Sequence, residues 1–505
     1  MLFEETFLEK ADLQKFQMFR ILKASGTGIM TVNDLSNEMN ISYQQGYNIC
    51  RELLADLETM SDLPIKTIRK QLMQLRNFDI SVDEYRLHLL EDAIQFQFLD
   101  YLVQGNIPSV DRFCQERFIS RSTLLRKTVP LRDLLAKYHL KLSLTKAEIQ
   151  GDEKQVRLFL FAFYWLGFHG VAWPIKSLQL ERVAAQYEKL TNIRTNPIEV
   201  IQDELFWAIC RLRIARGKVI NSFSRFTKLF KGFAPFDEPI YDQSSFPSLS
   251  PRTLQAESAF FHFQQNRDIN FTNLKPIEAQ LYQYFVSTDT IIHHYVAHFI
   301  NYLKPYYNDD ARPLIEDRLL VVNLAKVFLN FFLMQDDQVK LIDFYSPQRL
   351  KYEQAKLLTY IMQFTATLPD DSEYQVLRDN SDSLTHILYY LLVPYLRQFK
   401  WDEAVNVKML IGFTDLVSYN MLLFLRDINI VNILPDEAPI EAADLIITSM
   451  DDLDEFNEYN PDVADDQAVL NWNIDSTETD FYNLYIRIKH IFLNKVIEVP
   501  VSKEA

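Results

Sequence analysis

The sequence predicts a mainly α-helical, multidomain protein that ends in a small α/β domain. Its 505 residues are too many for one hydrophobic core and indicate several domains. Glycine occurs 10 times, far below the usual share of about 7%, which favours helices joined by short turns over a β-rich fold. Apolar residues also recur at three- and four-residue spacing through most of the chain, as in amphipathic helices.

The first helix-turn-helix pattern lies in residues 31–57. Thr31 or Asn33 is suited to cap a short helix, Asn40 ends that helix, and Ser42 caps a second one. The second helix has an apolar face of Tyr47, Cys50, Leu53, Leu54 and Leu57. Its other face carries the side chains that we predict to enter a DNA major groove, which are Ser42, Tyr43, Gln44, Gln45, Asn48 and Arg51.

A second copy of this pattern lies in residues 109–137. Ser109 caps its first helix, Phe118 and Ile119 form the turn, and Ser120 or Ser122 caps the next helix. The predicted apolar face is Leu124, Leu125, Val129 and Leu131. The predicted DNA contacts are Arg121, Ser122, Thr123, Arg126 and Lys127.

Pro130 limits the length of this second recognition helix, because proline breaks or kinks a helix interior. We therefore expect a short helix from about residue 122 to 129 and another over residues 131–137.

Each pattern is followed by a segment that predicts a β-hairpin, or wing. After the second pattern, apolar residues alternate over residues 140–144 and 156–160, with a turn at Gly151 and Asp152. This hairpin would place Lys146, Lys154 and Arg157 near DNA phosphates. After the first pattern come a helical stretch at 63–77 and a weaker hairpin at 78–90.

The net charge of −16 is concentrated at one end of the chain. Residues 401–505 hold 21 acidic and 6 basic side chains, whereas residues 101–150 hold 9 basic and 4 acidic ones. A local basic patch thus coincides with the second helix-turn-helix pattern, and the combination predicts DNA binding. Short helix pairs also occur in all-helical proteins, so a scaffold that binds no DNA remains an alternative.

Residues 173–400 show helical periodicity without alternating strands and predict two all-helical domains. Pro197 and Pro313 each open a similar amphipathic helix, and breaks fall at about residues 231–253 and 367–383. The side chains with evident chemistry here are His293, His294, His298 and His386. They lack further ligands at metal-site spacing. Judged from its sequence neighbours alone, His386 is typical of a core histidine.

The C-terminal block predicts a small α/β domain with a parallel sheet. Strands are predicted at 407–413, 431–436 and 443–449, and helices at 418–427 and 481–496. The acidic stretch 451–466 is predicted to be a solvated loop that faces away from DNA.

Several functional classes find no support in the sequence. It contains neither a Walker nor a GxGxxG phosphate loop and no cluster of acid, base and nucleophile, so we expect no enzyme, no cofactor and no metal. Cys50, Cys114 and Cys210 are too far apart for a disulfide framework and fit a reducing cytoplasm. The N-terminus does not resemble a signal peptide, and glycine and proline interrupt the uncharged run 158–175, so we expect no membrane span.

The order of these parts resembles the Mga/AtxA family of virulence transcription regulators in Gram-positive bacteria. The segments that carry the resemblance are residues 31–57, ISRSTLLRK within residues 109–137, FYWLGFHGVAWPI and VKMLIGF. It implies winged helix-turn-helix domains at 1–92 and 93–168, helical domains like PTS regulation domains (PRDs) at 169–286 and 287–400, and an EIIB-like domain at 401–505.

The resemblance also implies a function. We expect such a regulator to bind double-stranded promoter DNA, to act as an activator, and to dimerise through its PRD-like and EIIB-like domains. Phosphocarrier proteins of the sugar phosphotransferase system (PTS) can phosphorylate PRD histidines. An RNA-binding antiterminator with related helical repeats is a second alternative, but it would need an RNA-binding module at its N-terminus.

Two departures from the family pattern affect phosphorylation. The first helical repeat, about 173–286, contains only His262, which we interpret as part of a late linker-like region. An EIIB domain that carries phosphate needs cysteine or histidine after its first strand, where this chain has Gly412, Phe413, Thr414 and Asp415. We therefore expect this tail to carry no phosphate.

Overall fold

The structure, a computed structural model, describes most of the chain in two compact units. The described residues are 3–24, 30–75, 78–188, 196–237, 239–244, 246–272, 274–307, 316–344, 352–399, 404–411, 416–428, 430–450, 459–460, 462–463, 467–472 and 476–498. One unit comprises residues 1–269 and 328–349, and the other comprises 270–327 and 350–505. The predicted division into five domains stays a prediction.

The described residues are mainly helical, as the sequence predicts. None of the helices in these ranges is long and apolar enough to cross a membrane.

Short helices form the N-terminal part of the first unit. They are α1 (Phe3–Phe7), α2 (Lys10–Ala24), α3 (Val32–Glu38), α4 (Tyr43–Ser61), α5 (Ile65–Lys70), α6 (Val82–Asp92), α7 (Ile94–Gln104), α8 (Val110–Glu116), α9 (Arg121–Lys127) and α10 (Val129–Ala136). Helix α2 packs against α4 and α6, and α1 packs against α10. The pairs α3–α4 and α8–α9 confirm both predicted helix-turn-helix segments.

The hairpin predicted at residues 78–90 is wrong, because this segment begins helix α6. Ser81 and Glu84 form a capping box in which the Ser81 amide donates to the Glu84 carboxylate at 2.7 Å, and the Glu84 amide donates to Ser81 Oγ at 3.1 Å. Tyr85 and Leu89, four residues apart, are both buried. In the described part of residues 62–92, no strand follows the first helix-turn-helix; α5 and a π-helical turn (Gln71–Leu75) confirm the helical stretch.

The hairpin after the second helix-turn-helix is confirmed, but its predicted position is partly wrong. Strand β1 (Lys141–Ser143) pairs antiparallel with β2 (Glu148–Gln150), so the turn spans residues 144–147 and not Gly151 and Asp152. The predicted second strand instead belongs to helix α11 (Glu153–Phe168). The alternation was misleading because Arg157, the polar residue in it, is completely buried.

The first unit continues with α12 (Leu180–Tyr187), α13 (Pro197–Ala215), α14 (Ser224–Leu229) and α15 (Pro251–Asn266). Pro197 opens α13 as predicted, after the N-cap residue Asn196. His262 does not lie in a linker, because it is buried on α15 with its ring 5.1 Å from the ring of Phe236. The predicted break before this helix is confirmed and ends at its N-cap, Ser250.

The second helical region contains α16 (Pro276–Ser287), α17 (Ile291–Leu303), α18 (Arg318–Met334), α19 (Tyr352–Ala366), α20 (Gln375–Asp379) and α21 (Ser381–Leu392). The boundary between the two units at residue 327 falls within α18. Pro313 lies outside the described residues. The predicted break at 367–383 is shorter than expected, because α20 and the start of α21 occupy its second half.

The C-terminal region is an α/β fold with a parallel sheet, as predicted. Its elements are β3 (Val405–Leu410), α22 (Leu416–Arg426), β4 (Val431–Ile433), β5 (Leu445–Thr448), β6 (Ala468–Asn471) and α23 (Glu478–Glu498). The strand order is β4–β3–β5–β6, and each neighbouring pair is parallel. Val405 and Leu445 pack with Met421 of α22 and Ile488 of α23 in one apolar core.

Two sequence predictions for this region cannot be compared with the structure in full. Residues 412–415, where a phosphoryl acceptor would lie, are outside the described residues, as is most of the acidic stretch 451–466. Strand β6 was not predicted, since its four residues AVLN are too few to show a periodic pattern.

A buried ion network joins α11 to the helices that follow it. The guanidinium of Arg157 donates to both carboxylate oxygens of Glu257 on α15, at 2.5 and 2.9 Å, and to Glu153 at 3.0 Å. Glu153 also accepts two hydrogen bonds from Arg213 on α13, at 2.9 and 2.6 Å. Both Arg157 and Glu257 have fully buried side chains, so each charge depends on its partners for solvation.

We expect Arg157→Met to destabilise the protein by about 3–5 kcal/mol, because it leaves the Glu257 carboxylate buried without its main partner. Urea denaturation followed by circular dichroism measures this loss. Arg112→Met is the matched control, since Arg112 pairs with Glu116 at 2.9 Å on the exposed surface of α8, and such pairs contribute at most about 1 kcal/mol. Equal stability of the two variants would contradict the assigned role of the network.

Candidate nucleic-acid interface

The two helix-turn-helix segments have the same turn geometry. Asn40 and Phe118 both adopt the left-handed conformation, each with φ of 53°. The next residue donates its amide to the first helix in both cases, from Ile41 to Ser36 O and from Ile119 to Cys114 O, each at 3.0 Å. The turn therefore fixes the direction of the second helix in the same way in both segments.

The caps of the two recognition helices are the predicted serines. Ser42 Oγ accepts from the Gln45 amide at 3.3 Å, and the Gln45 side chain accepts from the Ser42 amide at 3.1 Å. Ser120, and not Ser122, caps α9 by accepting from the Thr123 amide at 3.1 Å. The side chains of Ser42 and Gln45 are thus engaged in hydrogen bonds at the start of α4. These bonds limit their freedom to bind DNA bases.

Helix α4 packs closely on α3 through Gly46. A Cβ atom at Gly46 would lie 2.0 Å from Ser36 Oγ and 3.1 Å from Ser36 Cβ. Ser36 is itself buried, and its hydroxyl donates to Val32 O at 2.7 Å. The small size of glycine at position 46 therefore lets the two helices approach each other.

The predicted apolar face of α4 is correct except at Tyr47. Gly46 and Ile49 are buried there, whereas the Tyr47 side chain is exposed and stacks on Tyr43, with ring centroids 6.4 Å apart. The aromatic pair shares the outer surface of α4 with exposed Gln44 and Arg51, while Asn48, on the same helix, is half-buried. Aromatic rings with polar tips beside an arginine can contact both DNA bases and phosphates.

Helix α9 has a narrower apolar face than predicted. Leu124 of α9 and Leu131 of α10 are completely buried, whereas Leu125 and Val129 are each 40% exposed. Helix α9 has only seven residues and ends at Lys127, and Leu124 is its one buried residue. Leu125 then lies on the outside of the helix and is available for contact with another molecule.

The predicted polar residues of α9 divide into exposed and engaged side chains. Arg121 and Arg126 are exposed, and Arg121 also pairs with the exposed Asp111 at 3.1 Å. Ser122 is exposed, with its hydroxyl 2.8 Å from Ser120 Oγ, and Thr123 is half-buried. Lys127 is half-buried, and its ammonium pairs with Glu9.

The hairpin supplies fewer basic groups than predicted. Lys146 lies in its turn and is exposed. Lys154 instead lies in the first turn of α11, where Asp152 holds its ammonium at 2.6 Å and its side chain is only 16% exposed. Arg157 is buried in the ion network. The predicted strand position of Lys154 and Arg157 is therefore wrong, because the second predicted strand is a helix, and buried Arg157 cannot contact DNA. The DNA contact predicted for Lys154 stays a prediction.

The helix-turn-helix, the short recognition helix and the two-stranded hairpin occur in the order of a winged helix-turn-helix. Residues 78–164 match the Mga helix-turn-helix domain, and this segment is called the Mga domain below. The match supports a regulator of the Mga/AtxA type and runs from the residues before α6 into α11. The first helix-turn-helix, α3–α4, lies outside it. A comparison with curated proteins gave no match.

Two side chains that follow α13 bind the Mga domain. Arg216, after α13, donates to the carbonyls of Leu102 and Gly105 at the end of α7. Lys218 pairs with Glu148 of β2 at 2.7 Å. Hydrogen bonds from Lys218 and Gln150 hold the pKa of Glu148 below its usual value, so its carboxylate stays ionised at neutral pH. Sequence reasoning missed these interactions, because the partners lie far apart in the chain.

The segment after α18 also contacts the Mga domain. Tyr138, which follows α10, donates to the Asp343 carboxylate, and burial raises the pKa of the Tyr138 hydroxyl, so it keeps its proton. His139 Nε2 lies 3.3 Å from Asp336, and the Gln155 side chain donates to Asp337 O at 2.5 Å. All of these residues belong to the first compact unit.

The four candidate histidines of the second helical region differ in exposure. His294 is exposed with Nε2 2.9 Å from Asp289 Oδ1, whereas His293 is half-buried. His298 is half-buried, and its Nε2 atom is buried with no hydrogen-bond partner among the described residues. His386 is exposed on α21, so it is not the core histidine that its neighbours suggest. Within the described residues, no three metal-ligating side chains are grouped as in a metal site.

We expect Gly46→Ala to destabilise the protein by about 1–3 kcal/mol, because the new methyl group would overlap Ser36. In an open helix interior the same change would stabilise by about 1 kcal/mol, so the sign of the effect tests the close approach of α3 and α4. The free energy of unfolding in urea is the measurement. The double variant Ser36→Ala/Gly46→Ala should recover part of the loss; a more stable Gly46→Ala protein would disprove the contact.

Proposed function

We propose that the protein is a cytoplasmic, DNA-binding transcription regulator of the Mga/AtxA type, and that it activates promoters and is not an enzyme. The observation that carries this proposal is the exposed basic surface of α9 within the segment that matches the Mga helix-turn-helix domain. Arg121 and Arg126 present guanidinium groups that suit guanine edges and phosphates. Residues 101–150 are basic although the whole chain is acidic.

In this proposal α9 enters the major groove and the hairpin follows the DNA backbone. Arg121, Ser122 and Arg126 lie nearest the bases, and Lys146 contacts a phosphate from the hairpin turn. Helix α4 provides a second contact through Tyr43, Tyr47 and Arg51. These aromatic and polar groups contribute more to DNA-sequence specificity than to electrostatic affinity for DNA, because α4 and its turn carry little positive charge.

We further propose that two copies of the chain bind one promoter. The resemblance to Mga/AtxA regulators supports dimerisation through the PRD-like and EIIB-like regions. The charge pattern agrees, since residues 401–505 carry most of the negative charge and would be repelled from DNA. Two chains joined away from the DNA would place two Mga domains on the same duplex.

A salt titration of duplex binding tests the DNA-binding proposal. We expect the full chain to bind with a steep salt dependence. Arg121→Ala/Arg126→Ala should bind at least about tenfold more weakly, with the slope reduced by about one unit for each phosphate that the variant no longer neutralises. Fluorescence anisotropy of a labelled promoter duplex measures both quantities.

Lys127→Ala is the matched control for this titration. It removes a positive charge from the same helix, but the Lys127 ammonium is engaged by Glu9, so both affinity and slope should stay close to wild type. Binding to structured RNA in preference to duplex DNA would favour the antiterminator. Absence of duplex binding at low salt would favour a protein-binding scaffold, and either result would overturn the proposal.

We propose that histidine phosphorylation by PTS phosphocarrier proteins regulates this activity. Exposure favours His294 and His386 as acceptors over His293 and His298, because a phosphocarrier must reach a ring nitrogen. Asp289, 2.9 Å from His294 Nε2, would orient that ring.

Incubation with a phosphocarrier protein whose own phosphoryl group is radiolabelled tests this regulation. We expect the full chain to be labelled and His294→Ala/His386→Ala to lose the label. His298→Ala is the control and should keep it, since its Nε2 atom is buried. A wild-type chain that accepts no phosphate would contradict the proposal.

A further inference from the structure

The most exposed apolar side chain of the Mga domain lies in the turn between its two helix-turn-helix helices. Phe118 is 95% exposed. It also adopts the left-handed backbone conformation, with φ of 53°, which asparagine and glycine adopt far more readily than phenylalanine does. Both the side chain and the backbone of this residue are therefore unfavourable for an isolated folded domain.

The first helix-turn-helix shows which residue the fold itself prefers at this place. Asn40 occupies the equivalent position with the same φ of 53°, and its amide bonds the preceding helix as that of Phe118 does, at 3.1 and 3.3 Å. The two residues that follow also correspond, with an isoleucine and then the capping serine in both turns. The turn thus forms without an aromatic side chain, and packing does not explain Phe118.

The surroundings of Phe118 indicate what covers its ring. Arg117 precedes it, and exposed Arg121 and Arg126 follow on α9. An exposed ring in a turn that is flanked in sequence by these arginines suits a polyanion with apolar groups. Duplex DNA has both, because thymine methyl groups and deoxyribose carbons lie between its phosphates. A second copy of this chain is a poorer fit, since equivalent turns would bring like charges together.

We propose that Phe118 is a DNA-contacting residue, whose ring packs against apolar groups of duplex DNA beside α9. This inference rests on the proposed DNA binding of the Mga domain. In the free protein, Phe118 then has an unfavourable backbone conformation and an exposed ring. The ring is covered only in the complex with DNA.

Phe118→Asn separates the two effects, because it introduces the residue that the first turn already uses. We expect its thermal midpoint to rise by about 1–3 °C through relief of backbone strain, while its affinity for a mixed-sequence duplex falls about tenfold. The salt slope should stay unchanged, since no charge is removed. Phe118→Tyr keeps the ring and should retain the affinity.

Phe271→Asn is the matched control. Phe271 is 57% exposed outside the Mga domain, so its replacement should leave DNA affinity unchanged. A Phe118→Asn protein that binds duplex as tightly as wild type would overturn the inference, and so would a loss of self-association with unchanged DNA affinity. If the wild type binds no duplex, the proposed function itself fails.

A duplex with deoxyuridine in place of thymidine identifies the DNA group involved. Weaker wild-type binding to this duplex, with no difference for Phe118→Asn, locates the ring at thymine methyl groups. Equal wild-type binding to both duplexes, with Phe118→Asn still weaker, locates it at deoxyribose.

Discussion

The buried pair of Arg157 and Glu257 is the constraint on which the arrangement of the first unit depends. A guanidinium and a carboxylate that are both inaccessible to water must meet in good geometry, since neither can be solvated elsewhere. Their bidentate contact sets the orientation of α11 against α15. Glu257 also accepts from the Ile220 amide at 2.9 Å, and Arg157 donates to Lys218 O at 3.0 Å. The loop after α13 is therefore held by the same two side chains.

This arrangement fixes the hairpin as well, because only two residues separate the end of β2 from the start of α11. Lys218 extends from the same loop to Glu148 on β2. The helices α13 and α15 and the loop between them thus determine the position of the domain that carries α9. A change in the packing of α13 or α15 would therefore disturb the polar contacts that hold the hairpin.

The sequence predicted best what depends on neighbouring residues. The caps at Ser42 and Ser120 and the turns before them involve residues within a few positions of each other, and they were correct. Tyr47 was assigned to the wrong face because helical spacing alone does not define the edge of an apolar face. In the C-terminal region, β3, β4 and β5 were identified because each is a short apolar run beside turn residues.

Arg157 was misassigned because its environment depends on distant parts of the chain. Glu257 lies 100 residues beyond Arg157, and no local pattern shows that a lysine or arginine will be buried. Alternation of apolar and polar residues predicts a strand only when the polar residues face water. In α11 the polar position was internal. For the same reason, no local pattern around Arg216 and Lys218 indicated that they bind the Mga domain.

The chain passes between its two units three times, at residues 269–270, 327–328 and 349–350. The segment 328–349 thus completes the first unit although part of the second unit precedes it in sequence. During synthesis on the ribosome, the partners of Tyr138 and Gln155 on this segment emerge 205 and 182 residues after them. The first unit therefore cannot finish folding until the chain has been made well past α15. During that interval, the Mga domain of the nascent protein would lack its contacts with the segment 328–349.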